Sequence, residues 1–320
     1  MIRIKNKRIL VTGASGFIGT NLMRRVADVQ QYDVVGVFNT RKPKIKANNI
    51  HYVQADLRNL VECREVVKNV DYVCMLAGRL STTAIMSKNP LGPITDNTAI
   101  NVNMLEAAYS AGVEKYLWLS STTGYPQLGR VLIEKDFFES DPPTPYEPVG
   151  WMSRYIEKLS MLYSTKPKNP MAVISLRPTA VFGEYDDFDF ETCHALPALV
   201  RRVVERHSPI EIWGSGDDER DWLYIDDLID ACLLALERIK NYVAVNVGSG
   251  RSYNLMNLLS KLLEIDNYLE AKVVHYPRNN GQVLKRQFDC SRAKELFSFS
   301  AKTAINDGLK KTICWYKDNI

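Results

Sequence analysis

The sequence predicts an α/β protein: a doubly wound parallel sheet of the Rossmann kind with a smaller C-terminal substrate-binding lobe. Three observations carry that expectation. Ile9, Leu10 and Val11 run straight into Gly13, Gly16 and Gly19, and Phe17 and Ile18 open a helical pattern, so a buried strand, a tight turn and a helix N-terminus follow one another. Further apolar runs alternate with helical periods, as parallel strands joined by crossover helices require. The 320 residues, 46% hydrophobic and 24% charged, suffice for one large domain or two that share a core.

The totals exclude several classes. A formal charge of +4, from 41 basic against 37 acidic residues, is too slight a surplus to imply a nucleic-acid partner. The N-terminus has too few consecutive apolar residues for a signal peptide or a membrane span, so a cytoplasmic protein with no membrane partner is expected. The six cysteines (Cys63, Cys74, Cys193, Cys232, Cys290, Cys314) form no CxxC pair, which suits reduced thiols and no metal site.

Taken in order, the glycine turn comes first. A side chain there would hold a pyrophosphate away from the backbone N–H groups and from the positive end of the helix dipole. The same spacing would also suit a turn that only packs a helix closely on a sheet. After the helix Ile18–Val29, a second buried strand, Asp33–Phe38, is followed by Asn39, Thr40, Arg41 and Lys42. An NAD-preferring fold places an acid here for the ribose 2′-hydroxyl. Its absence, with Arg41 available to a 2′-phosphate, predicts NADP(H) over NAD(H), the alternative being a solvated loop of charges after a strand. The third strand, Ile50–Gln54, ends in Ala55, Asp56 and Leu57, and Asp56 suits either the adenine amino group or a helix N-cap. A helix over Leu60–Lys68 leads to a fourth strand, Tyr72–Leu76, after which Ala77 and Gly78 are small enough to lie against ribose and pyrophosphate.

A loop is expected over 90–95, a helix over Asp96–Ala111 and a strand over Lys115–Leu119. The strand ends in Ser120, Ser121, Thr122 and Thr123, a row of hydroxyls at the carboxyl edge of the sheet, where open α/β folds bind ligands. Asp, Glu and Pro then make 128–148 a crossover loop, before a helix over Gly150–Ser164 and a strand over Ala172–Leu176. The expected domains are 1–178 for the dinucleotide, with a returning strand at 243–247, and 179–320 for the substrate. The second contains His194, a helix from Pro197 with Arg201 and Arg202, a strand Ile210–Trp213, and the run Arg220 to Asp227 leading into a helix to Lys240. Asn254–Leu263, Lys272–His275 and a last helix after Asp307 complete it.

These segments resemble the extended short-chain dehydrogenase/reductases that act on nucleotide sugars, the NAD-dependent epimerase/dehydratase family, and within it the GDP-fucose synthase branch. The likeness lies in Thr12 to Gly19, Ala55-Asp56-Leu57, Leu176-Arg177-Pro178 with Val181-Phe182-Gly183, Asp187-Phe188 to His194, Pro197 to Arg202, Ile212 to Gly216, and Arg220-Asp221 with Tyr224 to Asp227. It implies hydride transfer at a sugar carbon, C4, of a GDP-linked sugar. A 4,6-dehydratase or an epimerase using transient C4 oxidation is the alternative, and a non-catalytic dinucleotide-binding protein a third reading. It also implies cofactor contacts from Gly13, Gly16, Phe17, Ile18, Gly19, Asn39, Arg41, Asp56, Leu57, Leu76, Ala77 and Gly78. Arg220, one or both of Arg201 and Arg202, and Trp213 are implied for the substrate, as is a homo-oligomer.

Two departures bear on the chemistry. The family sets a Tyr-x-x-x-Lys pair on the helix after the crossover loop, so that both side chains share one face. Here Gly150 with Arg154, or Val149 with Ser153, occupies those places, and the only such spacing, Tyr268 to Lys272, lies far downstream. Thr123 stands where the GDP-fucose synthase branch has a cysteine, and Ala180 replaces an asparagine. The expected catalytic groups are therefore Ser121 and Thr123 at the reacting oxygen. His194 or one of Tyr125, Tyr146 and Tyr155 would handle the proton, and Arg154 would reach the nicotinamide ribose.

Overall fold

The structure, a computed structural model, describes residues 7–29, 32–80, 82–89, 91–277 and 285–320. The first part of the chain runs β1 (Arg8–Thr12), α1 (Phe17–Ala27), β2 (Asp33–Phe38), β3 (Ile50–Gln54), α2 (Leu60–Val66), β4 (Tyr72–Met75), α3 (Thr83–Lys88), α4 (Gly92–Ser110), β5 (Lys115–Leu119), α5 (Glu147–Thr165) and β6 (Ala172–Pro178). It continues through β7 (Ala180–Phe182), α6 (Ala195–Val204), β8 (Ile210–Trp213), β9 (Glu219–Tyr224), α7 (Ile225–Arg238) and β10 (Val243–Val247). The last elements are β11 (Ser252–Asn254), α8 (Leu255–Ile265), β12 (Val273–Tyr276), β13 (Lys285–Arg286), α9 (Ser291–Phe297) and α10 (Ile305–Asn319).

Seven parallel strands form the main sheet in the order β10-β6-β5-β4-β1-β2-β3. Helices cover both faces, which is why its central strands are largely apolar, whereas the edge strand β3 carries exposed His51 and Gln54. In β1 the alternation is visible residue by residue: Ile9 and Val11 pack with Leu22, Met23 and Leu228 on the face of α1 and α7, whereas Leu10 packs with Met104, Leu105 and Ile156 on the face of α4 and α5. The first of these apolar clusters continues through Val200, Leu258 and Tyr316, so the C-terminal elements share a core with the sheet. Those elements add a small sheet, β11-β9-β13 with β7 also on β9, and a parallel pair, β8 with β12.

The expected loop over 90–95 is mostly helix. Residue 90 lies outside the described residues, but α4 starts at Gly92 and takes Pro93 into its first turn, where a missing N–H costs nothing. Pro148 likewise sits in the first turn of α5, which begins at Glu147 rather than Gly150. The crossover loop contains short 3₁₀ turns at Glu134–Phe138 and Thr144–Tyr146. The short helices α3 and α9 were not expected from the sequence.

Candidate active site

The ends of β1 and β4 are joined through Thr12, whose hydroxyl accepts hydrogen bonds from the N–H groups of Leu76 and Ala77, both at 3.0 Å. This brings the glycine turn hard against the β4 end. Gly13 has φ +65°, and a Cβ on it would lie 2.7 Å from the Leu76 carbonyl oxygen; one on Gly19 would lie 2.0 Å from the Gly13 carbonyl oxygen. Gly16 caps α1 without a side chain, and the first turn, opened by half-buried Phe17 and Ile18, carries no acid. Bare backbone at an uncapped, positively polarised helix end fits a dinucleotide pyrophosphate. Asn97 holds the next segment in place, accepting from Arg79 N at 2.7 Å and donating to Arg79 O at 3.0 Å, beside exposed Gly78.

Asn39 and Arg41 are exposed beyond β2, and Arg41 forms no ion pair with the described residues. Asp56 does not cap α2; that role falls to Asn59, whose side chain accepts from Val61 N. Asp56 is instead clasped by Arg58, with Nη2 at 2.6 Å, which holds its carboxyl below the usual range. Leu57 beside it is buried.

At the end of β5, Ser121 caps a single 3₁₀ turn, Thr122–Gly124, and its Oγ lies 2.7 Å from Thr123 Oγ1. The structure thus places these two half-buried hydroxyls together. Arg286 donates to the carbonyls of Thr122 at 2.6 Å and Tyr125 at 3.2 Å, and its guanidinium lies 5.1 Å from the Tyr146 ring centre. The pairing of β13 with β9 sets Arg286 directly alongside Arg220. Arg286 is only 6% exposed, and desolvation with the repulsion of Arg220 pushes its pKa down to about 10. No motif marked Arg286 in the sequence; only the strand pairing puts it here.

Tyr125 and Arg154 do not take the expected roles. Tyr125 cannot reach a ligand: it is fully buried, donates to Asn246 Oδ1 at 2.6 Å and accepts from Arg177 Nη1 at 2.7 Å. Burial pushes its phenol pKa upward. Arg154, expected at the nicotinamide ribose, is 3% exposed and pins the crossover loop instead. Its Nε donates to Gly124 O at 2.8 Å, its Nη2 donates to Ser140 O, and its guanidinium packs on Phe137 and Trp151. Nor could Gly150 carry a side chain, since a Cβ there would meet Pro142 at 2.7 Å and the Thr123 carbonyl at 3.0 Å.

His194 caps α6 with solvent access, yet protein crowds it closely enough that desolvation lowers its pKa, opposed by the charge of Asp187. Nearby in the chain, burial pushes the Asp186 carboxyl up to about 8. Arg201 binds Glu205 at 3.1 Å and the Phe188 carbonyl at 3.1 Å, while Arg202 lies 3.8 Å from Glu211 and packs on Phe190. Trp213, 58% exposed, pairs with Tyr276 at 5.5 Å between ring centres. Among the described residues no cluster of His, Cys, Asp or Glu could hold a metal ion, and no helix is long and apolar enough to cross a membrane.

The family model described as "NAD dependent epimerase/dehydratase family" matches residues 9–248. A putative GDP-L-fucose synthase from Arabidopsis thaliana is 27% identical over 99% of this chain and 93% of its own. A GDP-mannose 3,5-epimerase from Oryza sativa is also 27% identical, over 98% of this chain and 82% of its own. The UDP-glucose 4-epimerase of Thermotoga maritima, solved with UDP-glucose, superposes with a TM-score of 0.86 at 25% identity, covering 97% of this chain and 99% of that one.

Proposed function

The chain belongs to the NAD-dependent epimerase/dehydratase family, and on that ground we propose that it transfers hydride between NADP(H) and C4 of a GDP-linked sugar. The family's enzymes act on nucleotide sugars with a nicotinamide dinucleotide. The observation that carries the finer reading is the cross-strand pair Arg220–Arg286, set against the Ser121–Thr123 turn. Two guanidinium groups match the oxygens of a diphosphate, and a hydroxyl turn one step away offers donors to a sugar oxygen. The bound dinucleotide supplies the hydride acceptor or donor; Gly13, Gly16 and Gly19 hold its pyrophosphate, and Arg41 meets the 2′-phosphate. The GDP preference rests on the similarity to GDP-sugar enzymes at 27% identity.

A second reading, epimerisation or 4,6-dehydration through transient C4 oxidation, is favoured by His194. An imidazole whose pKa is lowered by desolvation is a candidate to take a proton from a carbon beside a ketone. The homo-oligomer of the same proposal would meet through α4 and α5, where Trp151, Tyr155 and Leu162 stay exposed.

Two binding measurements test the reading. Arg220→Ala and Arg286→Ala should each weaken GDP binding by roughly tenfold or more, since a charge-assisted hydrogen bond is worth about 1.5–3 kcal/mol. Unchanged GDP titrations would refute the diphosphate assignment. NADP(H) should bind more tightly than NAD(H), and Arg41→Ala should narrow that gap by about 1.5–3 kcal/mol per lost contact. Equal affinities in the parent protein would remove the cofactor preference.

A further inference from the structure

We propose that Tyr146 is the catalytic tyrosine of this chain, carrying the proton of the hydride-transfer step from a position one helical turn ahead of the family's usual place, with Arg286 over its ring. The proposal rests on the reading above, in which a sugar hydroxyl is oxidised, or its ketone reduced, at this edge of the sheet.

The geometry singles it out among the tyrosines near the hydroxyl turn. Tyr125 is fully buried and spends its hydroxyl on Asn246 and Arg177. Tyr155 is 55% exposed on α5, on the side of Tyr163, which itself packs on Tyr109 of α4. Tyr146 is half-buried at the N-cap of α5, three residues before Val149. Its ring lies 5.1 Å under the Arg286 guanidinium, and that group donates at 2.6 Å to the Thr122 carbonyl, inside the turn that Ser121 caps. One cation thus links the phenol, the hydroxyl turn and, across the strand pair, Arg220.

The charges around the ring come from the paired arginines. Among the charges facing Arg286, a phenolate at Tyr146 is the strongest in favouring the guanidinium cation, against desolvation and the repulsion of Arg220. Arg286 beside the ring, and Arg220 paired with it across the strands, put positive charge on this side of the phenol. In oxidation the sugar O–H bond breaks and its proton passes to the Tyr146 oxygen. The C4–H bond breaks with its electron pair going to the oxidised nicotinamide, and C=O forms. In reduction the phenol returns the proton to the new alkoxide and is recharged from water.

The test uses the full-length protein with NADP(H) and, as probes, GDP-mannose, GDP-L-fucose and UDP-glucose, together with their C4-oxidised forms. Tyr146→Phe should lower turnover by about 10²–10⁴-fold, the range for one positioned acid or base. GDP and NADP(H) affinities and the unfolding midpoint should stay at parental values, and Tyr268→Phe should keep full turnover. Fluorotyrosine at position 146, a stronger acid than tyrosine, should move the pH limb of turnover to lower pH in either direction of reaction. Its fluorine resonance should shift when a nucleotide sugar binds. Parental turnover in Tyr146→Phe, or an unmoved pH limb with fluorotyrosine, overturns the assignment while leaving the proposed reaction intact. No turnover in the parent protein with any probe overturns the proposed reaction and this residue with it.

Discussion

Replacing Glu157 with Gln should destabilise the protein by about 3–5 kcal/mol, the usual cost of leaving one member of a buried ion pair uncompensated. Glu157 and Arg177 have side chains only 1% and 2% exposed. Arg177 Nε donates to Glu157 Oε2 at 3.0 Å, and Nη2 makes a second contact to Oε1. The same carboxylate accepts from Ser120 Oγ at 3.0 Å, and Arg177 goes on to Tyr125 and to the Glu134 carbonyl. Tyr125 passes the chain to Asn246 in β10. A single network therefore ties the end of β5, helix α5, strand β6 and strand β10 beneath the hydroxyl turn. Without the carboxylate, the Arg177 cation would remain desolvated among Phe137 and Tyr125, with no way to shed its charge. The double variant Glu157→Leu with Arg177→Met should recover much of the loss, because the pair together pays the desolvation that either charge alone cannot offset. Denaturant unfolding of the two variants beside the parent protein checks this, and an unchanged midpoint for Glu157→Gln would show that the network is not coupled to folding.

The second large effect is on the chemistry. Ser121→Ala should lower turnover by about 10²–10³-fold, the cost of removing one preorganised donor from a developing oxyanion. Ser121 Oγ is already oriented, accepting from Thr123 N at 3.2 Å and sharing a hydrogen bond with Thr123 Oγ1 at 2.7 Å. With Thr123 Oγ1 as the donor of that pair, the Ser121 proton is left for a sugar oxygen. Thr123 is close enough to compensate in part, so Ser121→Ala with Thr123→Val should fall further than either single change. The loss should appear in kcat with GDP affinity retained, because the hydroxyl meets the sugar and not the diphosphate. A Ser121→Ala protein with parental kcat would move the reacting oxygen away from this turn.

Much of the fold was legible because its signals are local. The runs at β2, β3, β5, β8 and β10 are short, apolar or β-branched and bounded by polar or turn residues, and they form strands over the expected residues. Helix starts were less legible, since Pro93 and Pro148 read as breakers but sit in first turns, where proline is tolerated. The six- and seven-residue helices α3 and α9 are too short to show a period. In the site, the glycine turn was readable because its chemistry is contained in consecutive residues. The roles of Tyr125 and Arg154 are not legible in the sequence because distant partners decide them: Asn246 lies 121 residues from Tyr125, and the Gly124 carbonyl 30 residues from Arg154. Arg286 became visible only when β13 paired with β9 and set it beside Arg220.

Hydride transfer itself is tested directly by isotope tracing. The purified protein is mixed with a GDP-linked sugar carrying deuterium at C4 and NADP⁺, and the nicotinamide and the sugar are both analysed by mass. Deuterium on the nicotinamide ring or returned to C4 of an inverted sugar, faster with NADP⁺ than with NAD⁺, is the predicted result. Deuterium that stays on the sugar at its original centre, in a protein that nonetheless binds both the dinucleotide and GDP, would contradict hydride transfer and leave a dinucleotide-binding protein without catalysis.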